Sequence, residues 1–321
     1  MKYEYLNFLK CPITEEDLEM EVHEEKAGEI LSGKLFSSKA EFPITNGIPR
    51  FVKDQGYSDN FGWQWNHWAK VQFESENIGR PMAGYTSKMF QSITELTREK
   101  LQDKTILDIG CGPGRFTDVS RTLGAKLVIA IDYSSAIDAA KDNFEDTTGI
   151  FFVQGDALNL PFKEGLFDFA YSIGVLHHTP NPIKGVQEAA RVLQQGGELA
   201  ISVYKKGGYY DFITVQMWRK LFKMLWPIFG HRLPYLYSQI FGRINYYICR
   251  SSRALSFPIR LIFPSVVTLQ DLRWSILDTF DSVTPSYQST HTVYEVYRWF
   301  KETNFKYIKV AAWENIIGTK K

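Results

Sequence analysis

The run Thr105-Ile106-Leu107-Asp108-Ile109-Gly110-Cys111-Gly112-Pro113-Gly114-Arg115-Phe116 constrains the fold more than any other stretch, because an apolar strand passes through an acid into three alternate glycines. Glycine lacks the Cβ that would hold a ligand off the backbone, and it reaches φ values closed to other residues. Gly110, Gly112 and Gly114 therefore read as a nucleotide-cofactor loop. A dinucleotide fits poorly. That fingerprint spaces its glycines G-x-G-x-x-G, whereas Arg115 stands where the third would fall and Asp108 lies inside the strand.

Four more segments follow in order. Leu127-Val128-Ile129-Ala130-Ile131-Asp132 is a second buried strand ending in an acid 18 residues after Gly114. In a doubly wound sheet that acid lies beside the first glycine loop, where a carboxylate can accept from both hydroxyls of a ribose diol. Phe151 to Ala157 is a short strand with Asp156 behind it, able to accept from an exocyclic amine, and with small neighbours for an aromatic base. Phe167 to His178 is a fourth strand ending in paired histidines, and Gly197 to Tyr204 is a fifth.

In order and spacing these five segments resemble the successive motifs of class I S-adenosylmethionine-dependent methyltransferases. The resemblance implies an α/β, Rossmann-like sheet of seven mostly parallel strands, the last of them, near Asn315 to Lys320, antiparallel. It implies S-adenosylmethionine as cofactor. The three glycines would cradle its methionine and ribose portion, Asp132 would bind the ribose hydroxyls, and Asp156 with Ala157 would hold the adenine. Asp108 would face the methionine amino group, and Cys111, Tyr133 and Ser172 complete the cofactor-binding set. His177 or His178 could serve as a general base, since imidazole titrates near neutral pH. Yet Gly-Val-Leu-His-His also resembles a sequence shared by methyltransferases with unrelated acceptors, so one histidine could equally shape the pocket floor.

The first 53 residues read as a separate unit, with a β-rich segment, a turn at Asn46-Gly47 and a closing Pro43-Ile44-Thr45-Asn46-Gly47-Ile48-Pro49. They resemble the small zinc-ribbon-like domains that activate tRNA and translation-factor methyltransferases. The metal is expected to be lost. Thr14 stands where the knuckle partner of Cys11 would be, and the second pair would fall near Ser32 to Ser38, which holds no cysteine. Residues 54–100 form a connector in which Trp63, Trp65 and Trp68 cluster within six positions. They could cap the cofactor or wall the acceptor site, or simply anchor the two units. Trp63 and Trp65, read as preceding the helix, are the pocket candidates, with Tyr85 behind them.

After Tyr204 the pattern breaks, and the sixth strand waits until Phe305 to Val310, behind a helix from about Val293 to Thr303. Residues 205–292 are thus an insertion, flanked by the sheet-forming stretches 101–204 and 293–321. Between Lys205 and Pro264 it carries ten Lys or Arg against one acid, Asp211, a local balance of +9 in a chain whose net charge is +1. Large apolar groups at helical spacing interleave with this charge, and prolines 227, 234, 258 and 264 divide it into short helices. The region reads as a lid over an anionic or lipid-linked acceptor, as a surface for anionic membrane, or as a solvated packing face. Nucleic acid fits less well, because so many large apolar groups do not suit a groove that tracks phosphates. Downstream, Asp278-Thr279-Phe280-Asp281, then Pro285 and Tyr287, then His291-Thr292 resemble a pattern in methyltransferases with the same N-terminal unit. With Tyr204, this makes Asp281, Tyr287 and His291 acceptor-site candidates, His291 also a tentative catalytic one. A plain helix cap is the alternative for His291 and Thr292.

A hydrophobic content of 44% and three scattered cysteines suit a globular chain without a disulfide framework, and no run approaches the roughly 18 apolar residues of a membrane span. A cytoplasmic protein is expected, peripheral at the inner membrane surface if the basic insertion meets lipid. The expected activity is methyl transfer to an oxygen of a small-molecule, glycan or lipid-linked acceptor, with no metal. The alternatives are transfer to nitrogen and a non-catalytic, cofactor-binding partner subunit. The oligomeric state is left open.

Overall fold

The computed structural model describes residues 1–52, 58–267, 270–312 and 315–321, and leaves the side chain of Asp59 undescribed. The expected boundary at 53/54 lies outside the described residues. A 3-10 helix, Tyr3–Phe8, leads into an antiparallel meander of β1 Glu19–Lys26, β2 Glu29–Phe36, β3 Glu41–Thr45 and β4 Ile48–Pro49. The β3–β4 turn is the expected one. Asn46 and Gly47 both take positive φ (52° and 67°), as a two-residue hairpin requires.

This meander shares a core with the larger sheet. Ile30, Leu35, Phe42 and Ile44 pack in one buried cluster with Phe151, Val153, Leu160 and Phe162. Tyr5 stacks on Phe151 at 4.5 Å, and Phe51 N donates to Gln154 O at 2.8 Å. The chain leaving β4 thus extends the sheet edge that would otherwise offer unpaired backbone groups to other chains.

The helices before the main sheet are α1 Asp59–His67, α2 Tyr85–Thr94 and α3 Arg98–Leu101. Trp63 and Trp65 lie inside α1 rather than ahead of it. The sheet itself comprises β5 Thr105–Ile109, β6 Leu127–Asp132, β7 Ile150–Gln154, β8 Phe167–Ile173, β9 Leu193–Ser202, β10 Phe305–Val310 and β11 Ile316–Lys320. Their spatial order is β10-β11-β9-β8-β5-β6-β7, with β5 to β9 parallel and β11 antiparallel to both its neighbours. Helices α4 Arg115–Thr122, α5 Ala136–Asp142 and α6 Pro182–Val192 alternate with these strands.

In the insertion, α7 Ile213–Phe229 and α8 Arg232–Ser251 run 17 and 20 residues, followed by α9 Arg253–Ile262 and α10 Leu272–Val283. The prolines divide it less than expected. Pro234 sits in the first turn of α8, where its missing N–H has no intrahelical partner to lose, and Pro227 sits in the last turn of α7. Pro258 lies within α9. α11 Val293–Glu302 starts on a capping box, with Thr292 Oγ1 accepting from Glu295 N (3.2 Å) and Thr292 N donating to the Glu295 carboxylate (2.7 Å).

Candidate active site

At the end of β5 the chain turns sharply, and three successive amides are held by β6. Gly110 N and Cys111 N both donate to Ile131 O (2.7 and 3.0 Å), and Gly112 N donates to Asp132 Oδ2 (2.9 Å). Gly110, Gly112 and Gly114 take φ of 78°, 54° and 92°, which explains glycine at each. Ligand clearance is only part of the reason. A Cβ on Gly110 would lie 2.4 Å from Val175 Cγ1 and one on Gly114 2.9 Å from Phe144, so those two glycines make room for protein side chains. At Gly112 the nearest neighbour is the Trp65 indole, 3.3 Å from a Cβ built there.

The loop opens on a cavity of about 280 Å³ at the C-terminal ends of β5, β6, β8 and β9. Its lining includes Gly110, Cys111, Gly112, Asp132, Tyr133, Gly155 and Ala157 from the loop and strand ends, and Arg115, His178, Tyr204, Tyr210, Asp278 and Asp281, with Trp65 and Tyr85 contributed by the connector. Brought together from the sequence candidates are therefore Gly110, Cys111, Gly112, Asp132, Tyr133, Ala157, His178, Trp65, Tyr85, Tyr204 and Asp281.

Others fall elsewhere among the described residues. Asp108, expected to face a methionine amino group, is 2% exposed and accepts from Thr117 Oγ1 at 2.7 Å, behind the loop. Burial pushes its carboxyl up to about 7 against the hydrogen bonds from Thr117 and Tyr171. Ser172 is also buried, donating to Ile109 O within the sheet (3.1 Å), because alternate residues of β8 face opposite sides. Gly114 caps α4 behind the wall, and Asp156 is outside the lining set, its Oδ1 accepting from Leu158 N at 2.8 Å. His177 is fully buried against Tyr204 (ring centroids 3.9 Å apart), which drives its imidazole well below the usual range. His291 bonds Ser289 Oγ through Nε2 (2.8 Å) and lies off the cavity, as does the half-exposed Tyr287 ring. Trp63 stacks on His67 and His231 (4.8 and 4.1 Å) and meets Trp68, Tyr235 and Phe280 edge-on or tilted, forming the anchor between connector and insertion.

Asp132 retains some acceptor capacity. Oδ1 takes Ser134 N and Oγ (2.8 and 2.7 Å) and Oδ2 takes Gly112 N, which leaves one of about four acceptor positions open at the cavity. Burial raises this carboxyl, and the same three bonds oppose the shift. Among the other lining residues, Asp281 Oδ2 accepts from Tyr204 OH and Oδ1 from Gln64 Nε2, both at 3.0 Å. Tyr204 stacks flat on Tyr210 at 3.7 Å. His178 places Nδ1 at 3.0 Å from Tyr287 O. A carbonyl can only accept, so Nδ1 carries the hydrogen and Nε2 is the unprotonated nitrogen, in keeping with burial that lowers the imidazole's basicity. Asp278, Arg115, Tyr210 and Gln64 escaped the sequence reading. Asp278 could have been found by helical spacing, three residues before Asp281, and Arg115 from the fingerprint it interrupts. Burial pushes Asp278 up to about 7, with Asp281 adding to the shift and Arg115 opposing it.

Comparison with known proteins finds methyltransferases over the central part of the chain. Residues 107–201 match the family described as "Methyltransferase domain". Over 135 residues the chain is 32% identical to Probable tRNA methyltransferase 9B of Mus musculus, covering 40% of this chain and 28% of the relative. It is 31% identical over 128 residues to Demethylmenaquinone methyltransferase of Staphylococcus haemolyticus, covering 39% of this chain and 52% of that protein. The chain thus spans from about a quarter to about half the length of these curated relatives. A solved S-adenosylmethionine-dependent methyltransferase from Mesorhizobium loti is 27% identical, over 36% of this chain and 52% of that one, with a TM-score of 0.33. Residues 107–201 thus match a methyltransferase domain, and the cofactor that such a domain implies is S-adenosylmethionine.

Proposed function

We propose that the chain is an S-adenosylmethionine-dependent methyltransferase that methylates an oxygen of a small-molecule, glycan or lipid-linked acceptor. The observation that carries this reading is the single cavity shared by the glycine loop and the His178, Tyr204 and Asp281 wall. The residues present suit the cofactor: Gly112 lines the cavity without a Cβ, in a positive-φ turn, and Asp132 keeps an acceptor position open there. Bound there, S-adenosylmethionine would supply a methyl group on a sulfonium, an activated leaving group.

The work left to the protein is orientation and proton removal. Tyr204 and Gln64 fix Asp281 from two sides, so that carboxylate is a rigid acceptor toward a hydroxyl or ammonium. The Nε2 of His178 can take the proton released by an attacking hydroxyl. Trp65 covers the loop, and Tyr85 with Tyr210 lines the acceptor side. Transfer to nitrogen is the second reading, favoured by two carboxylates, Asp278 and Asp281, on the cavity wall where an amine could pair. We also read the meander as a metal-free descendant of a ribbon domain, since Thr14 N and Ser37 Oγ now donate to Cys11 Sγ (3.4 and 3.2 Å) at the places where ligand cysteines would stand.

Calorimetric titration with S-adenosylmethionine, followed by transfer of labelled methyl into hydroxyl- and amine-bearing acceptors, tests the proposal. Binding with turnover on a hydroxyl acceptor is the result expected. Binding without turnover on any acceptor would favour the partner-subunit alternative, and failure to bind would end both.

A further inference from the structure

The insertion turns a surface outward that is both apolar and basic, and we propose that this surface seats the protein on an anionic lipid bilayer. Along α7 the exposed side chains are Ile213, Met217, Leu221, Met224 and Ile228, at steps of three or four that align them in one stripe. α8 repeats the pattern with Leu236, Ile240, Ile244 and Tyr247, and α9 exposes Leu255, Phe257, Leu261 and Ile262. These stripes are not an unfinished core. The inner faces already meet one another, with Phe222, Tyr237 and Val283 buried among Trp218, Phe241 and Phe263, and Trp218 Nε1 donating to Ile262 O at 2.8 Å.

Charge selects the occupant. No acid occurs from Phe212 to Gln270, while Lys220, Arg232, Arg243, Arg250 and Arg253 stand exposed on the same helices. A second copy of this face would cover the stripes only by bringing cation against cation. RNA would satisfy the cations but leave the apolar side chains in water. A bilayer with anionic headgroups accommodates both, apolar groups at the acyl boundary and cations among the phosphates. None of the described helices is long and apolar enough to cross a membrane, so the contact lies in the interface. α10 packs on both α7 and α8 and carries Asp278 and Asp281, so such a seat would set the cavity close to lipid. Arg219 and Lys223 belong to the scaffold instead, donating to Ser282 O and Ser286 O (3.3 and 3.1 Å).

The test uses the full chain without cofactor, so it stands or falls apart from the methyltransferase reading. Sedimentation is measured with vesicles of phosphatidylcholine alone and with vesicles about one third phosphatidylglycerol, at low and high salt. Wild type should pellet with the anionic vesicles at low salt and stay in the supernatant otherwise, because screening acts over about 8 Å at physiological ionic strength. Lys220, Arg243 and Arg253 all changed to Glu should lower partitioning about tenfold or more. Met217, Met224 and Ile228 all changed to Gln should lower it as well, with circular dichroism confirming that both variants keep their helices. Equal recovery in every supernatant would overturn the proposal. So would unchanged pelleting of both variants, or a gel shift with RNA or a concentration-dependent dimer in the absence of vesicle binding.

Discussion

Tyr204, just beyond β9, donates its hydroxyl to Oδ2 of Asp281 on α10 across 3.0 Å. The bond ties the sheet to the insertion at the cavity wall and fixes that carboxylate. Tyr204→Phe leaves that oxygen one donor short in a half-buried setting. The expected cost is about 1–3 kcal/mol of unfolding free energy, read from the urea midpoint, together with a rise in acceptor KM. An unchanged midpoint with unchanged KM would show that the bond positions nothing.

At Asp132 the expectation concerns the cofactor. Asp132→Ala removes the open acceptor and the brace on Gly112 N, and should weaken S-adenosylmethionine by about 1.5–3 kcal/mol. Gly112→Val should abolish binding, because the added side chain meets Trp65 and takes a φ of 54° that valine tolerates poorly. Calorimetry on both variants gives the answer, and wild-type affinity in either would remove the loop as the binding site.

The tautomer of His178 leads to a pH signature. Burial holds its imidazole below the ordinary 6.5, so Nε2 is available as a base throughout the neutral range. Turnover should fall only on the acid side, below 6.5. His178→Asn can keep a donor toward Tyr287 O but has no base, and should lower kcat while flattening that acid limb. An acid limb of wild-type shape in the variant would assign proton removal to another group.

Asp278 links pH to stability in the direction opposite to a paired carboxylate. Its folded value of about 7 lies above the model-peptide 3.8, so between those values the native state holds a proton that the unfolded chain has lost. Its contribution is complete below about 4 and falls away as pH rises toward 7. Asp278→Asn should therefore be more stable than wild type at pH 8, by on the order of 1 kcal/mol or more, with the gain disappearing toward pH 4. Thermal melts at the two pH values decide it. A gain that is equal at both would locate the effect in packing.

For the meander, elemental analysis of the purified protein should find far less than one zinc per chain, and chelator should leave its melting temperature unmoved. Among the described residues, no group of three or more His, Cys, Asp or Glu is placed to hold an ion.

The sheet was legible because short apolar runs alternate with polar or glycine-rich loops, as where β6 ends at Asp132; the paired histidines, expected to end the fourth strand, instead lie beyond β8 in a 3-10 helix, Leu176–His178. The β3–β4 turn and the Thr292 cap were legible for local reasons as well. What escaped was set by geometry that spacing alone leaves open. Trp63 and Trp65 were read as a pair ahead of a helix. Inside α1, residues two apart point about 200° from each other, so one enters the aromatic anchor and the other covers the glycine loop. Asp108 is acidic and adjacent to the loop, yet its place inside β5 turns it to Thr117. Asp278 and Arg115 carried local cues, helical spacing from Asp281 and the interrupted fingerprint, but that they meet at one cavity depends on how the insertion folds back over the sheet, a long-range outcome.

The strand order also sets a sequence of events in folding. β9 finds its antiparallel neighbour only in β11, which is separated from it by the whole insertion and by α11. During synthesis, one edge of the growing sheet must therefore wait, unpaired, until more than a hundred further residues have left the ribosome. Closing so long a loop is slow, and an open strand edge invites other chains in the meantime. The docking of β11 is therefore a step exposed to aggregation, and truncations within β10 or β11 should be recovered as insoluble protein.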